Sequence, residues 1–266
     1  MTDTRVRPLA LVVALLLVLG VAGALTVDED DGGTVLTTAA AATVAEGSAR
    51  MAMEMHFEVD GQRTTINADG LVDLSDERMQ LTMRSAAFPA PMELIGDGST
   101  VYIKANSPEL AAEAGGKQWL AYDAKAFSQA AGNALGGGTD PLAMLELLEQ
   151  RGIATNLRQE GGEPVRGAAT TRYTADLDLA ELLETFQRSE IRDMADEVDN
   201  AAVMMTVWVG DDSVVRRSSI AMRFDLEGSS VATTITMELF DFGVAIDVAP
   251  PPADQVKRAG DILRTG

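Results

Sequence analysis

Between residues 51 and 59 every odd position is apolar (Met51, Met53, Met55, Phe57, Val59), whereas the even positions are Ala52, Glu54, His56 and Glu58. A repeat of two residues is that of a β-strand with one buried face; a helix would scatter the same side chains around its axis. Asp60-Gly61 follows, a pair that tolerates the positive φ angles of a two-residue hairpin, and residues 64–74 return as a second strand. The chain is thereby committed to an antiparallel sheet.

The pattern continues in short strands at Met79–Arg84, Met92–Ile95, Val101–Lys104 and Lys117–Tyr122, with Gly96-Asp97-Gly98 as the turn between the second and third. The period then changes. Ala124–Leu135 and Asp140–Leu148 read as helices, the second with Asp140 as N-cap and Pro141 at its first position, and Gly136-Gly137-Gly138 between them permits a mobile joint. Strand character returns at Ile153–Glu160 and Val165–Asp178, Leu179–Val198 is helical, and Val203–Val209, Val214–Leu226 and Val231–Phe242 form a second meander. Within it Ser218, Ile220, Met222, Phe224 and Leu226 face one way and Arg217, Ser219, Ala221, Arg223 and Asp225 the other. Pro250-Pro251-Pro252 is expected to end the last strand, because proline supplies no ladder N–H.

The N-terminus carries an address. Arg5 and Arg7 precede an apolar run from Leu9 to Leu19, and Val21-Ala22-Gly23-Ala24 supplies small residues for cleavage, the pattern of a secretory signal. Leu9–Leu25 is also at the short limit of a membrane-spanning helix, so residues 1–25 are either a cleaved signal or an uncleaved anchor. The arginines before it and Asp28-Glu29-Asp30-Asp31 after it place the remainder outside the cytoplasm in both cases. Residues 26–49 read as a flexible acidic, Ala/Thr-rich tether, 50–258 as one folded domain and 259–266 as a tail.

The chain has no cysteine, so the domain must be held by an ordinary core rather than by disulfides. Its net charge is −20, and the longest basic cluster is the pair Arg216-Arg217, which excludes nucleic acid as a partner. His56 is the only histidine. By parity it points away from the apolar face, beside Glu54 and Glu58. Without cysteine or a second histidine there is no thiol–imidazole pair and no zinc cluster of the usual kinds, and no G-x-S-x-G elbow presents a serine. Asp176/Asp178 and Asp211/Asp212 lack EF-hand spacing, and the glycine run at 136–138 lacks the Lys-Ser/Thr of a phosphate loop. No enzyme activity, metal or cofactor is expected.

Particular phrases carry a resemblance. Asp97-Gly98-Ser99-Thr100-Val101-Tyr102-Ile103-Lys104 followed by Lys117-Gln118-Trp119, Asp140-Pro141-Leu142, Gly167–Tyr173 with Asp178, and Val207-Trp208-Val209 with Val214-Val215-Arg216-Arg217 resemble the actinobacterial LppX/LprG lipoproteins. The closing run Phe242–Pro251 is similar to theirs as well. The resemblance spans roughly residues 48–258. It implies the LolA/LolB-type fold of class α+β: a strongly curved antiparallel sheet, an incomplete barrel, with helices covering the concave side and an apolar cavity between. It also implies binding of acylated lipids or lipoglycans during passage through the envelope. One departure is clear: family members end the signal in a lipidated cysteine, and this chain has none. Either the protein is released, or the helix at Leu9–Leu25 replaces the lipid as anchor.

With 13 methionines against seven Phe, three Tyr and two Trp, the apolar strand faces are unusually rich in a flexible, polarizable side chain. Under the resemblance, the residues lining the cavity are Met53, Met55, Phe57, Ile66, Leu81, Met83, Val101, Ile103, Met205, Val207, Ile220, Met222, Phe224, Ile235, Met237 and Leu239. Two functions fit: a monomeric, non-enzymatic carrier of acylated lipid through the envelope, or a scaffold of the same fold whose own side chains fill the cavity.

Overall fold

The hairpin that the alternation demands is formed by β1 (Ser48–Val59) and β2 (Gln62–Asp73), with Asp60 and Gly61 at φ 49° and 79° in the turn. The computed structural model describes residues 31–76, 78–124, 127, 154–177, 198–226 and 228–259. The segment expected to direct export, nearly all of the helical insert expected at 124–148 and the helix expected at 179–198 lie outside those residues, with only Ala124, Phe127 and Val198 inside them. Among the described residues no helix is long and apolar enough to cross a membrane.

The first meander continues through β3 (Arg78–Ser85), β4 (Met92–Asp97), β5 (Thr100–Lys104) and β6 (Trp119–Asp123). The second comprises β7 (Ala154–Glu160), β8 (Thr170–Leu177), β9 (Val198–Gly210), β10 (Val215–Leu226) and β11 (Ser229–Phe240), and a short β12 (Val256–Arg258) follows. The two meanders are one sheet because β1 pairs with β11 from Arg50 opposite Phe240 to Val59 opposite Val231. The order is β12-β6-β5-β4-β3-β2-β1-β11-β10-β9-β8-β7. Every pairing is antiparallel except that of β12 with β6, and the edge strands β7 and β12 do not meet, so the sheet is not closed into a barrel.

Four local expectations change. The segment expected as a tether is helical from Asp31 to Ala45 (α1), with Leu36, Ala39, Ala40 and Thr43 buried at the i, i+3, i+4, i+7 spacing of a helix face. Alanine is the best helix former and its small side chain allows close approach to a sheet. Thr43 Oγ1 fixes the approach by accepting the Val215 N–H at 2.9 Å while donating to the Ala39 carbonyl at 2.6 Å. Between β5 and β6, a second helix, α2 (Pro108–Ala114), is capped by the Ser107 hydroxyl, which accepts from the Leu110 N–H at 3.2 Å, and is closed by Gly115 at φ 59°.

The strand expected from Val165 begins only at Thr170. Arg166 and Gly167, at φ 48° and 86°, turn the chain so that Val165 bridges Ala168, and the loop folds over the sheet with Val165 buried. The last long strand stops at Phe240 rather than at the prolines, because Asp241 and Gly243 adopt φ 51° and 71°. Beyond it Ile246 and Val248 pack with Ile95 and Trp119, and the chain then enters β12 beside β6.

Candidate ligand-binding face

Directly opposed residues of paired strands share a face, so the register writes out rows that cross the sheet. One row reads Met92, Met83, Ala68, Met53, Met237, Ser218, Val207, Tyr173, from β4 to β8. The next reads Ile66, Met55, Ile235, Ile220, Met205, Ala175. A third reads Phe57, Thr233, Met222, Val203, Leu177, and on the other side Leu120, Ile103, Leu94, Leu81, Gly70, Met51, Leu239 run from β6 to β11. None of these rows holds a charged residue. We call this the inner face.

Every residue expected to line a cavity lies on it, in three patches. Met53, Met55, Phe57, Ile66, Leu81, Met83, Ile235, Met237 and Leu239 pack together with Ala49, Met51 and Ala68. Met205, Val207, Ile220, Met222 and Phe224 form a second patch with Val203, Val231, Tyr173 and Leu177, and Leu36 and Ala39 of α1 pack into it. Ile103 and Val101 stand apart with Leu120 and Tyr122, against Leu110 and Ala114 of α2. Burial, with the Glu113 carboxylate beside it, pushes the Tyr122 phenol up to about 12, so it stays neutral.

Several members of this face were not foreseen. Met51, Val203, Leu94 and Leu120 follow from the strand parity that found their neighbours, and Leu36 and Ala39 from the helical spacing hidden in the Ala/Thr run. Tyr173 carries no such mark, since a tyrosine in an alternating strand reads equally as solvent-facing, whereas Ser218 falls where its parity with Ile220, Met222 and Phe224 sets it.

The opposite, outer face carries the charge. Glu238 accepts from Arg217 and Arg166, each at 2.7 Å, and Arg217 reaches Glu163 at 3.1 Å, which ties the loop around Val165 onto β10 and β11. Arg217 also lies over the Trp208 ring and Arg166 over that of Phe240. Burial works against the Glu238 charge, but the two guanidinium groups prevail and hold its carboxyl below the usual range. His56 is on the outer face as parity requires, its Nδ1 3.0 Å from Thr65 Oγ1 and its Nε2 3.4 Å from Glu54. Among the described residues no group of three or more His, Asp or Glu side chains converges as a metal site.

No family model and no curated protein matches the chain. Solved structures do. The lipoprotein LppX of Mycobacterium tuberculosis is 17% identical, with 81% of this chain and 97% of that chain aligned at a TM-score of 0.52. LprF of Mycobacterium bovis aligns over 82% of this chain and 95% of its own at 15% identity and TM-score 0.42. A LolA superfamily protein of Nitrosomonas europaea aligns over 79% and 94% at 8% identity and TM-score 0.31. The first of these sets the conclusion: the chain has the LppX fold, a large open antiparallel sheet with two helices among the described residues.

Proposed function

We propose that the protein is an exported, non-enzymatic carrier that holds the acyl chains of a lipid or lipoglycan against the inner face of a strongly curved sheet and moves them through the cell envelope. The observation that carries this reading is the uncharged inner face itself, crossed by a row in which Met92, Met83, Met53 and Met237 stand on four different strands. Methionine adapts its shape at low cost, which suits a surface that must accept chains of variable course. Each buried methylene of a ligand contributes roughly 0.8 kcal/mol, so one long acyl chain supplies on the order of 10 kcal/mol before ordering costs, with no precise polar motif. The LppX fold and the resemblance in sequence support the same reading. The protein acts as a monomer outside the cytoplasm, freed by cleavage after Ala24 or held by its N-terminal helix.

A second reading has an observation of its own. Met55 and Ile66 are 0% exposed and Ile235 1%, as in a solid core, which favours a scaffold filled by its own side chains. Native mass spectrometry of gently purified protein separates the two. A carrier shows a co-purifying acylated species and gains melting temperature when an acylated ligand is restored; the absence of both favours the scaffold.

A further inference from the structure

The row that crosses the inner face contains one aliphatic hydroxyl, with apolar side chains directly on both sides of it. Ser218 lies between Met237 on β11 and Val207 on β9, at the seam where the two larger apolar patches meet. It is 2% exposed, and its hydroxyl has no hydrogen-bond partner among the described residues. A buried hydroxyl without a partner is destabilising, and alanine would fill the position without that loss. Thr174 also has an orphaned buried hydroxyl, but its neighbour Tyr173 takes the inward parity, so among the described residues only the Ser218 hydroxyl of the two belongs to the inner face.

We propose that Ser218 is the polar contact of the ligand-binding face: its hydroxyl donates to the carbonyl oxygen of an acyl ester, so that the protein prefers ester-linked to ether-linked glycerolipid. The inference rests on the lipid-carrier reading. In such a lipid the first polar group reached from the hydrocarbon end is the ester carbonyl, a good acceptor, whereas an ether oxygen is a poor one. An ester seated at Ser218 leaves one apolar patch on each side for hydrocarbon. Since the hydroxyl is enclosed, the ligand reaches it by displacing neighbouring side chains, and Met237, directly opposite Ser218, is unbranched and yields readily. A site built to hydrogen-bond a group discriminates against the analogue that lacks it.

The test uses the full chain, stripped of lipid, with dipalmitoylglycerol and its dihexadecyl ether counterpart as probes and bound fractions read by native mass spectrometry. The wild type is expected to prefer the ester by roughly 3- to 10-fold, the worth of one neutral hydrogen bond. Ser218→Ala is expected to bind both probes with the affinity the wild type has for the ether, while Ser218→Thr, which keeps the hydroxyl, retains the preference. Lipid-free Ser218→Ala is expected to melt no lower than the wild type. Equal binding of both probes by the wild type, or an unchanged preference in Ser218→Ala, overturns the role of Ser218 and leaves the carrier reading standing. A lower melting temperature for lipid-free Ser218→Ala assigns the hydroxyl a structural part and overturns it too. Failure of both probes to bind counts against the carrier reading and takes this inference with it.

Discussion

Gly70 lies in the middle of β2, where glycine is otherwise unfavourable, and the reason is a close approach. A Cβ built there would stand 1.9 Å from the Gln80 carbonyl oxygen and 2.9 Å from both the Gln80 carbonyl carbon and Leu81 Cδ2. The first two are backbone atoms of β3 and cannot swing aside. To restore ordinary contact after Gly70→Ala, the strands must part by about 1 Å or more, enough to forfeit ladder hydrogen bonds around the Gly70–Leu81 pair. Overpacking of this kind costs about 1–3 kcal/mol, and a lost ladder bond adds roughly 0.5–1.5 kcal/mol. The reduced freedom of the unfolded chain returns about 0.4–1 kcal/mol. The net expectation is a loss of about 2 kcal/mol, or a fall of about 4–8 °C in melting temperature for a domain of this size. Urea unfolding followed through Trp119 and Trp208 measures it. Gly161→Ala is the control, because nothing lies within 4 Å of its Cβ position, and it should change stability by less than about 0.5 kcal/mol. If the two variants are equally stable, the strand separation at Gly70 is wrong and so is the reasoning.

Three further changes probe the contacts that shape the fold. Asp73 accepts the Ser75 and Asp76 N–H groups at 3.1 and 3.0 Å and the Arg78 guanidinium at 2.6 Å; burial opposes its charge, yet these bonds outweigh burial and hold its carboxyl below the usual range. Its folded-state pKa is thus depressed, so the stability it confers is present above the ordinary carboxylate pKa of about 4 and is lost as pH falls through the folded value. Asp73→Asn should cost about 1–3 kcal/mol at neutral pH, with the gap to wild type narrowing in urea titrations below pH 4. Glu238→Gln weakens the tie between Arg166, Arg217 and the loop at Val165, and should speed hydrogen exchange at the Val165 and Ala168 amides, which bond to each other's carbonyls, with little change elsewhere. Thr43→Val removes the acceptor of the Val215 N–H and should lower stability by about 1–2 kcal/mol in the same urea assay, whereas Thr43→Ser should restore most of it.

The strands were legible because a half-buried sheet imposes its period directly on the sequence. From Met51 to Val59 and from Val231 to Leu239 the large apolar residues all fall on the inner face, with Thr233 the one polar member of that set. The pairing of β1 with β11 was not legible, since it joins segments far apart in the chain and alternation alone does not name a partner. The Ala/Thr run before β1 misled for a different reason: its composition is that of a linker, and only the spacing of Leu36, Ala39, Ala40 and Thr43 distinguishes a docked helix. Likewise the positive φ angle at Arg166, which delays an expected strand to Thr170, falls on a residue that does not advertise a turn, and that at Asp241 ends another strand early.

The candidate site was half legible, and the division follows from its chemistry. An apolar face is specified by parity, so any sequence with the right alternation announces it, and the expected residues all fell on one side of the sheet. Nothing in that alternation says whether the face meets a ligand or the protein's own side chains, because both demand the same residue types. What separates the two readings is a polar atom that the fold leaves unpaired, and such an atom is visible only once the register is known. Ser218 and Ser219 are adjacent serines whose opposite faces follow from parity, but whose hydrogen bonding does not. The register sets Ser219 on the outer face with its hydroxyl 3.2 Å from Thr236 Oγ1, and Ser218 on the inner face between Met237 and Val207 with no hydrogen-bond partner among the described residues. A fold that had only to be stable would place alanine there. That difference between neighbouring serines is the strongest physical reason to look for a ligand with an acceptor at that depth.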